Sequence, residues 1–428
     1  MENYYDPNFY YTGEHYGNVV QADIRFDDAI DSKSLDIAVS RLRNRFPWFY
    51  VGVAVEGEKY VLKPNPLPVI IHDADKIITL GAKESNYHLL SIGYKGNRLL
   101  IEISHCLTDG AGLLPYVRLL INLYLAQKKD IELTDDYRDY INQKPSEDEY
   151  GDPWPIERVR SVNGPFFRNK GRTREFYDLL KNIDKDDRTQ TYYHIDIPVK
   201  ELLSYAKSHD GSINALMSTL IFKAIMRVDP DYDTKIVGRI AVNMKGIVGK
   251  SNNYHFGVMS IPIDYPPKAR DRSIERLCTV TRGQIIGRSD EDNILWNIKK
   301  NQYEPFDKIE AIPKLSMKLE ALKNVGLVDT GSFFVSYASK AGYGEADKHI
   351  EGIYYHVAAY GSPLICEVAC VNDVFMVSFM QRFENDIYIN AFCELLEELD
   401  IHYEIREKKP LVIAGVRYEF EKVSEKEI

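Results

Sequence analysis

Residues 101–110 read Ile-Glu-Ile-Ser-His-Cys-Leu-Thr-Asp-Gly and place a histidine at the end of an apolar strand. An Asp-Gly pair begins four residues after His105, and the pattern then predicts an amphipathic helix over residues 112–124, with Pro115 in its first turn. The unperturbed pKa of histidine suits proton transfer near neutral pH, and a strand end that opens into a turn can present the imidazole to a cleft. The segment therefore predicts His105 as a general base.

Length and composition indicate a globular protein of two domains. The chain has 428 residues, of which 44% are hydrophobic and 28% charged. No stretch approaches 18 uninterrupted apolar residues, and residues 1–6 contain neither a basic region nor an apolar core of the signal-peptide kind. We therefore expect a cytoplasmic protein without a transmembrane segment.

Charge and cysteine content exclude several classes of function. A net charge of -10 argues against a nucleic-acid partner, because phosphate binding needs clustered lysine and arginine. The five cysteines are odd in number and lack paired metal-ligand spacing, so we expect reduced thiols and no metal site. The sequence also lacks the Gly-x-Ser-x-Gly and His-Glu-x-x-His motifs of serine hydrolases and zinc proteases.

The first half of the chain predicts a mixture of helices and strands. Asp31 can cap a helix over residues 32–46. The clearest hairpin has strands at residues 87–94 and 98–104, separated by Lys-Gly-Asn. His105 is therefore expected at the end of the second strand of this hairpin.

From residue 131 to 190 the sequence becomes charged, irregular and proline-bearing, which indicates a crossover between domains. We expect an N-terminal domain of residues 1–185, which carries the histidine motif and ends in this linker, and a C-terminal domain of residues 186–428. Strands and helices alternate in the second half. Its predicted strands lie at 191–197, 235–243, 256–263, 332–338, 354–360, 366–371 and 375–382, and its predicted helices at 199–208, 212–227, 273–300, 313–322 and 387–399.

The order of strand, histidine, Asp-Gly and helix resembles the HxxxDG motif of acyltransferases related to chloramphenicol acetyltransferase. These include alcohol O-acetyltransferases, plant-type BAHD enzymes and the condensation domains of peptide synthetases. The resemblance implies an α/β fold with mixed sheets, in which two chloramphenicol acetyltransferase-like domains enclose an active-site channel. It also implies that Asp109 points away from the cleft and pairs with an arginine to hold the loop, for which Arg45 is a candidate. Gly110 is interpreted as allowing the tight turn, through either a positive φ or a close backbone approach.

Four further segments resemble the same family. They are residues 38–47, similar to an early helix that ends in an Arg-His-Pro-like corner; 238–245, similar to a strand that ends in Asn-x-Arg; 252–257, similar to the Gly-Asn stretch that follows; and 333–338, similar to a Val-Ser-Asn segment near the substrate channel. Lys245 stands in place of the family's arginine, and Tyr337 in place of its asparagine.

These matches add candidate site residues, each with an ordinary structural alternative. Ser336 is a candidate donor to a developing oxyanion, although an alternating strand also places serines without such a role. Tyr337 and Asn243 are candidate substrate contacts, and Lys245 is a candidate contact for the phosphates of coenzyme A. Asn243 and Lys245 are equally compatible with a polar pair that faces water at the end of a strand.

The resemblance predicts an acyltransferase that moves an acyl group from a thioester, such as acetyl-CoA, to the hydroxyl or amine of a small molecule. Coenzyme A would be a co-substrate, with no permanently bound cofactor. Ser104 stands where many condensation domains carry a first histidine, which favours an alcohol acetyltransferase. Two alternatives remain: a condensation-type enzyme whose donor is tethered to a carrier protein, and a catalytically inactive binding protein of the same fold.

Overall fold

The structure is a computed structural model that describes residues 8–12, 17–166, 175–323, 328–340 and 342–420. The strands are β1 (Val19–Phe26), β2 (Val51–Glu56), β3 (Lys59–Pro64), β4 (Ile71–Asp73), β5 (Leu90–Lys95), β6 (Arg98–Ser104), β7 (Thr191–Pro198), β8 (Ile236–Asn243), β9 (Val258–Tyr265), β10 (Phe333–Lys340), β11 (Ile350–Val357), β12 (Leu364–Val371), β13 (Val374–Gln381) and β14 (Glu404–Pro410).

The helices are interspersed among these strands along the chain. They are α1 (Asn8–Tyr11), α2 (Ser32–Leu42), α3 (Gly110–Lys129), α4 (Asp135–Asn142), α5 (Glu147–Tyr150), α6 (Ile156–Ser161), α7 (Val199–Ser208), α8 (Ile213–Val228), α9 (Met244–Ile247), α10 (Ile274–Arg288), α11 (Glu291–Ile298), α12 (Glu304–Glu310), α13 (Leu315–Leu322) and α14 (Ile387–Glu398). The interval expected to be a crossover therefore contains α4, α5 and α6. In the described part of the chain, no helix combines the length and the apolar character needed to span a bilayer.

Two mixed sheets organise the molecule. The first has five strands in the order β11-β1-β6-β5-β4, in which only the β4–β5 pair is parallel. The second has seven strands in the order β14-β7-β13-β12-β10-β8-β9, with β10 parallel to both neighbours. Strands β2 and β3 form a separate hairpin. Mixed sheets with helices between their strands confirm the predicted α/β class.

Each sheet has its own hydrophobic core. Helices α2 and α3 pack with the first sheet, and their buried residues include Leu35, Leu113 and Leu120. Helices α8, α10 and α14 pack with the second sheet. All five cysteines are free and buried, as reduced thiols were expected to be. The apolar faces of these helices thus cover a sheet, which is the usual way for both kinds of element to bury their surfaces.

The hairpin β5–β6 positions the histidine motif. Lys95 pairs with Arg98 across a two-residue turn in which Gly96 has φ +58°, a left-handed conformation that suits glycine. On its other side β6 pairs with β1, where Ser104 lies opposite Val19. The backbone N–H of His105 then donates to the carbonyl of Asn18 at 2.6 Å. The main chain at His105 is therefore held by β1, a strand that the sequence patterns did not predict.

Two late segments of the chain belong to the first sheet. Strand β11 pairs antiparallel with β1 and forms the edge of that sheet. Near the end of the described chain, Leu80 donates to the carbonyl of Gly415, and Arg417 donates back to the carbonyl of Leu80, each at 2.9 Å. The boundary predicted at residue 185 places both segments in the C-terminal domain, and strand pairing therefore interleaves the two halves of the chain.

Candidate active site

His105 lines a cavity of about 570 Å³ where the two sheets meet. Strands of both sheets contribute to its wall, namely β1 and β11 from the first sheet and β8, β9, β10 and β12 from the second. The residues that line it include Asn18, Gly110, Asn243, Phe256, Ser260, Phe334, Ser336, Tyr337, Tyr355, Tyr360 and Glu367. The predicted strand-end histidine thus has access to a cavity large enough for a small organic molecule.

Hydrogen bonding determines which ring nitrogen of His105 is free to act as a base. Its Nδ1 lies 2.6 Å from the carbonyl oxygen of Thr108, and because a carbonyl can only accept, Nδ1 carries the proton. The lone pair of the neutral ring is therefore on Nε2. Burial lowers the pKa of His105 from its ordinary value, which keeps the ring neutral at physiological pH. The edge of the Phe256 ring packs on the imidazole, with 4.9 Å between ring centroids.

Asp109 is fully buried and holds the loop together behind the histidine. It is the N-cap of α3, where its Oδ1 accepts from the backbone N–H of Gly112 at 2.8 Å. The same oxygen accepts from Lys245 Nζ at 3.0 Å, and Oδ2 accepts from the backbone N–H of Gly257 at 2.7 Å. One carboxylate thus connects the start of α3 to the segment between β8 and β9, which is the geometry of a structural residue.

The position of Lys245 corrects the prediction that it contacts coenzyme A. Its side chain is fully buried, and Nζ donates to Asp109 and to the carbonyls of Asn253 and His255, at 2.9 Å and 2.7 Å for the carbonyls. An ammonium has three N–H donors, and all three are used here. Lys245 therefore has no donor for a phosphate and acts as the cation that pairs with Asp109.

Arg45, the candidate arginine partner of Asp109, lies elsewhere. Its guanidinium is buried, pairs with Glu149 and stands 4.0 Å above the ring of Tyr140. The ion pair expected for Asp109 therefore exists, but with a different cation on a different element.

The close backbone approach expected at Gly110 is found two residues later, at Gly112. Gly110 does not have a positive φ, and a Cβ built on it would meet nothing within 4 Å. A Cβ on Gly112 would lie 2.2 Å from the carbonyl oxygen of Tyr254 and 2.5 Å from Thr108 Oγ1. The close backbone approach predicted for Gly110 is thus found at Gly112, while Gly110 lines the cavity.

The other candidate substrate residues reach the same cavity from the second sheet. Ser336 and Tyr337 line it from β10, and Asn243 lines it from the end of β8. Asn243 is also the N-cap of α9, where its Oδ1 accepts from the backbone N–H of Lys245 at 3.1 Å. The amide NH₂ of Asn243 and the second lone pair of its Oδ1 can still contact a ligand.

A buried cluster at the sheet interface has metal-ligand residue types but the geometry of a hydrogen bond. Asp23, His194 and His356 have ligand atoms within 4.8 Å of one another. The two Nε2 atoms, however, are 2.7 Å apart with ring planes 9° from parallel, whereas two imidazoles on a tetrahedral zinc stand roughly 3.3 Å apart. Asp23 is also engaged by Arg25 and Arg98, at 2.9 Å and 2.8 Å. The cluster is thus a hydrogen-bonded histidine pair beside a neutralised carboxylate.

No protein-family model and no curated protein matches the sequence. Solved structures do match: TRI101 of F. graminearum, complexed with coenzyme A and T-2 mycotoxin, has a TM-score of 0.61 at 12% identity over 94% of this chain and 99% of that one. Polyketide synthase associated protein 5 from Mycobacterium tuberculosis matches with a TM-score of 0.57 at 13% identity, over 88% of this chain and 92% of that one. The epimerization domain from the third module of tyrocidine synthetase B matches with a TM-score of 0.55 at 11% identity, over 93% of this chain and 95% of that one.

The chain has the chloramphenicol acetyltransferase-like fold. The matches cover almost the whole of both chains. The likeness therefore extends over both sheets and is not confined to one half of the molecule. At these identities the likeness concerns the fold, which confirms the fold class implied by the HxxxDG resemblance.

Two residues of this candidate site were not predicted from the sequence. Phe256 packs on His105, and Glu367 places a carboxyl in the cavity wall. A signal for Glu367 exists in the sequence, because it is a single charged residue in the apolar run Leu-Ile-Cys-Glu-Val-Ala-Cys-Val of residues 364–371. A charge at that place in a strand needs a polar environment, which the cavity supplies.

Proposed function

We propose that the protein is an acyltransferase that transfers an acyl group from a coenzyme A thioester to the hydroxyl or amine of a small molecule, in the cytoplasm. The observation that carries this proposal is the state of His105, a neutral imidazole with Nε2 unprotonated at the wall of the cavity. Support for the donor comes from structural neighbours of the same fold, including TRI101 complexed with coenzyme A.

The proposed reaction needs one base and no covalent acyl-enzyme. Nε2 of His105 takes the proton of the acceptor as its oxygen or nitrogen bonds to the thioester carbonyl carbon. When the tetrahedral intermediate collapses, the C–S bond breaks and the imidazolium returns the proton to the thiolate. General-base help of this kind contributes about 10² to 10⁴ in rate, and positioning within the cavity supplies more. Ser336 is the candidate donor to the oxyanion.

The test is the release of free thiol from acetyl-CoA in the presence of acceptor libraries, with product masses measured. His105→Ala is expected to lower kcat by about 10² to 10⁴ and to leave the dissociation constant of acetyl-CoA nearly unchanged, because the imidazole moves a proton and does not hold the coenzyme. The matched control is His402→Ala, since His402 is 79% exposed at the surface. Full activity in His105→Ala would remove the proposed mechanism.

The rate of acyl transfer should also fall as the pH is lowered. His105 must be neutral to accept a proton, and burial lowers its pKa below the ordinary value of about 6.5. The wild-type rate is therefore expected to fall only on the acid side, with a midpoint below about pH 6.5. With an alcohol acceptor, for which His105 is the only base needed, a midpoint at or above pH 7 would point to a different base.

A carrier-protein donor is the second candidate, because the fold is also that of peptide-synthetase domains such as the tyrocidine synthetase epimerization domain. Acyl-pantetheine attached to a carrier protein, offered in place of acetyl-CoA, separates the two donors. Binding of acetyl-CoA without turnover on any acceptor would instead favour the inactive binding protein.

A further inference from the structure

Glu367 brings a carboxyl group to the cavity that His105 lines. It lies on β12, where its neighbours Cys366 and Val368 face the core of the second sheet. On the adjacent strand β10 its register partner is Ser336, whose hydroxyl hydrogen-bonds to the carboxyl group. The acylation mechanism described above uses His105 as its one base, so this second ionisable group in the cavity has no role in it.

No cation accompanies this carboxylate in the part of the chain that the structure describes. Among the described residues that line the cavity there is neither lysine nor arginine. The titratable groups near Glu367 are the Cys366 thiol, the Tyr355 phenol on β11 and, around the same cavity, His105 and the phenols of Tyr337 and Tyr360. A carboxylate in a partly apolar cavity without a counter-ion is costly unless a ligand brings the positive charge.

Resting on the proposed acyl transfer, we propose that the acceptor is a primary amine that enters as an ammonium ion, and that Glu367 is the base that takes its first proton. The number of bases supports this. An alcohol loses one proton on acylation, whereas an ammonium must lose two, and the cavity has one acceptor for each. The aromatic side chains of Phe256, Phe334 and Tyr355 in the wall fit an aromatic or alkyl body on the amine.

Glu367 and His105 each take one proton from the acceptor in turn. The Glu367 carboxylate pairs with the ammonium and accepts one proton, which leaves a neutral amine with a free lone pair. The amine nitrogen bonds to the thioester carbonyl carbon, His105 takes the second proton, the C–S bond breaks, and His105 returns that proton to the thiolate. The products are an amide and a thiol, and Glu367 releases its proton to water.

The protonation of Glu367 also changes what Ser336 can do. While Glu367 is ionised, the Ser336 hydroxyl donates to it; once Glu367 is protonated, the carboxylic acid can donate to Ser336 and free its O–H for the oxyanion. Burial raises the pKa of the Glu367 carboxyl to about 7, so the group can gain and lose a proton near neutral pH.

The first experiment measures binding without an acyl donor, so that it does not depend on turnover. At pH 7, calorimetry with 2-phenylethylamine and its neutral analogue 2-phenylethanol should show tighter binding of the amine to the wild type. In Glu367→Gln the affinity for the amine should fall about tenfold to a hundredfold, the loss expected for a charge-assisted hydrogen bond. Glu367→Asp should keep part of the amine preference, and the exposed Glu351→Gln on β11 is the matched control.

The second experiment measures pH dependence with acetyl-CoA. A primary amine has a pKa of about 10, so roughly one molecule in a thousand is neutral at pH 7. The wild type should acylate the amine at pH 7. The kcat/KM of Glu367→Gln should rise about tenfold per pH unit from 7 to 9, because this variant can acylate only the neutral fraction of the amine.

Equal binding of the two compounds by the wild type, or undetectable binding of the amine, would overturn the inference. So would an amine preference that survives in Glu367→Gln. If the amine binds as expected but no acceptor is acylated, acyl transfer fails and Glu367 remains an ammonium-binding residue, so the two failures are distinguishable.

Discussion

Gly112, the third residue of α3, is a position that has no room for a side chain. The carbonyl of Tyr254 and the hydroxyl of Thr108 occupy the space of a Cβ, and these two atoms hydrogen-bond to each other at 2.6 Å. A methyl group at this position would have to separate the start of α3 from the segment that covers it.

We therefore expect Gly112→Ala to lower the free energy of unfolding by about 1 to 3 kcal/mol, the usual cost of overpacking a rigid site. Gly110→Ala is the matched control, because its Cβ would point into open space, and it should change the free energy of unfolding by less than about 0.5 kcal/mol. Urea denaturation of the three proteins measures both values. A larger loss in Gly110→Ala than in Gly112→Ala would contradict the assignment.

At the residue scale, the sequence predicted the groups that lie close together in the chain. His105 and Asp109 share one short motif, so their residue types and spacing were visible. Lys245 lies 136 residues from its partner Asp109, and its burial depends on the segment after β8 folding over the loop. The sequence suggested either a contact with coenzyme A phosphates or a water-facing position for Lys245, because nothing local distinguishes a buried lysine from an exposed one.

At the element scale, the Asp109–Lys245 ion pair connects α3 to α9 and the turn that follows it. Both side chains are fully buried, and together they satisfy the backbone N–H groups of Gly112 and Gly257 and the carbonyls of Asn253 and His255. The pair therefore does more than neutralise charge, since it completes the backbone hydrogen bonding of two elements.

Removing either partner leaves a buried charge without its counter-ion. Asp109→Asn and Lys245→Met are each expected to lower the free energy of unfolding by about 3 to 5 kcal/mol. The double variant should lose less than the sum, because the second change removes the stranded charge. The control is Lys250→Met, since the Lys250–Asp148 pair is exposed and should contribute no more than about 1 kcal/mol. Additive losses in the double variant would show that the two residues act separately.

The observed ends of a helix or strand match the predicted ends where a single clear sequence pattern marks them. Strand β6 and helix α7 begin and end at the predicted residues, because hairpin and helix signals bound them. Strand β1 was missed since it buries Gln21 and Asp23, which break the apolar pattern. Their partners, among them Glu102 and Arg98, come from the neighbouring strand. Strand β14 was missed because it is a mostly charged edge strand.

At the scale of the whole molecule, several histidines are buried in the neutral state. Burial lowers the pKa of His88 and His356 to about 4 and that of His255 to about 3. The unfolded chain binds these protons near pH 6.5, whereas the folded chain does so only near their lowered pKa values. Their contribution to stability is therefore present above about pH 6.5 and is lost as the pH falls toward 4.

We expect each of these histidines to remove about 1.4 kcal/mol of unfolding free energy per pH unit in that window. Chemical denaturation between pH 7.5 and 5 measures the slope. His88→Gln should reduce the slope by one histidine's share, while His402→Gln, at an exposed position, should leave it unchanged. A stability that stays constant from pH 7 to 5 would contradict the neutral burial of these side chains.

The overall fold was predictable from one motif and the alternation of helices and strands, whereas the interleaving of the halves was not. The pairing of β1 with β11 joins residues more than 300 positions apart, and nothing in either strand's own sequence encodes its partner. The position of the Glu367 carboxyl was unpredictable for the same reason, because its place in the cavity depends on β12 lying beside β10.

That pairing matters during protein synthesis. Strand β1 leaves the ribosome well before β11, because about 320 residues separate the end of one from the start of the other. At about 5 to 20 residues per second these take roughly 15 to 65 seconds to translate. Throughout this interval one side of an almost entirely buried strand has no hydrogen-bonding partner and is open to pairing with other nascent chains. The protein should therefore depend on chaperones in the cell more than its length suggests, and slowing translation after residue 340 should increase its aggregation.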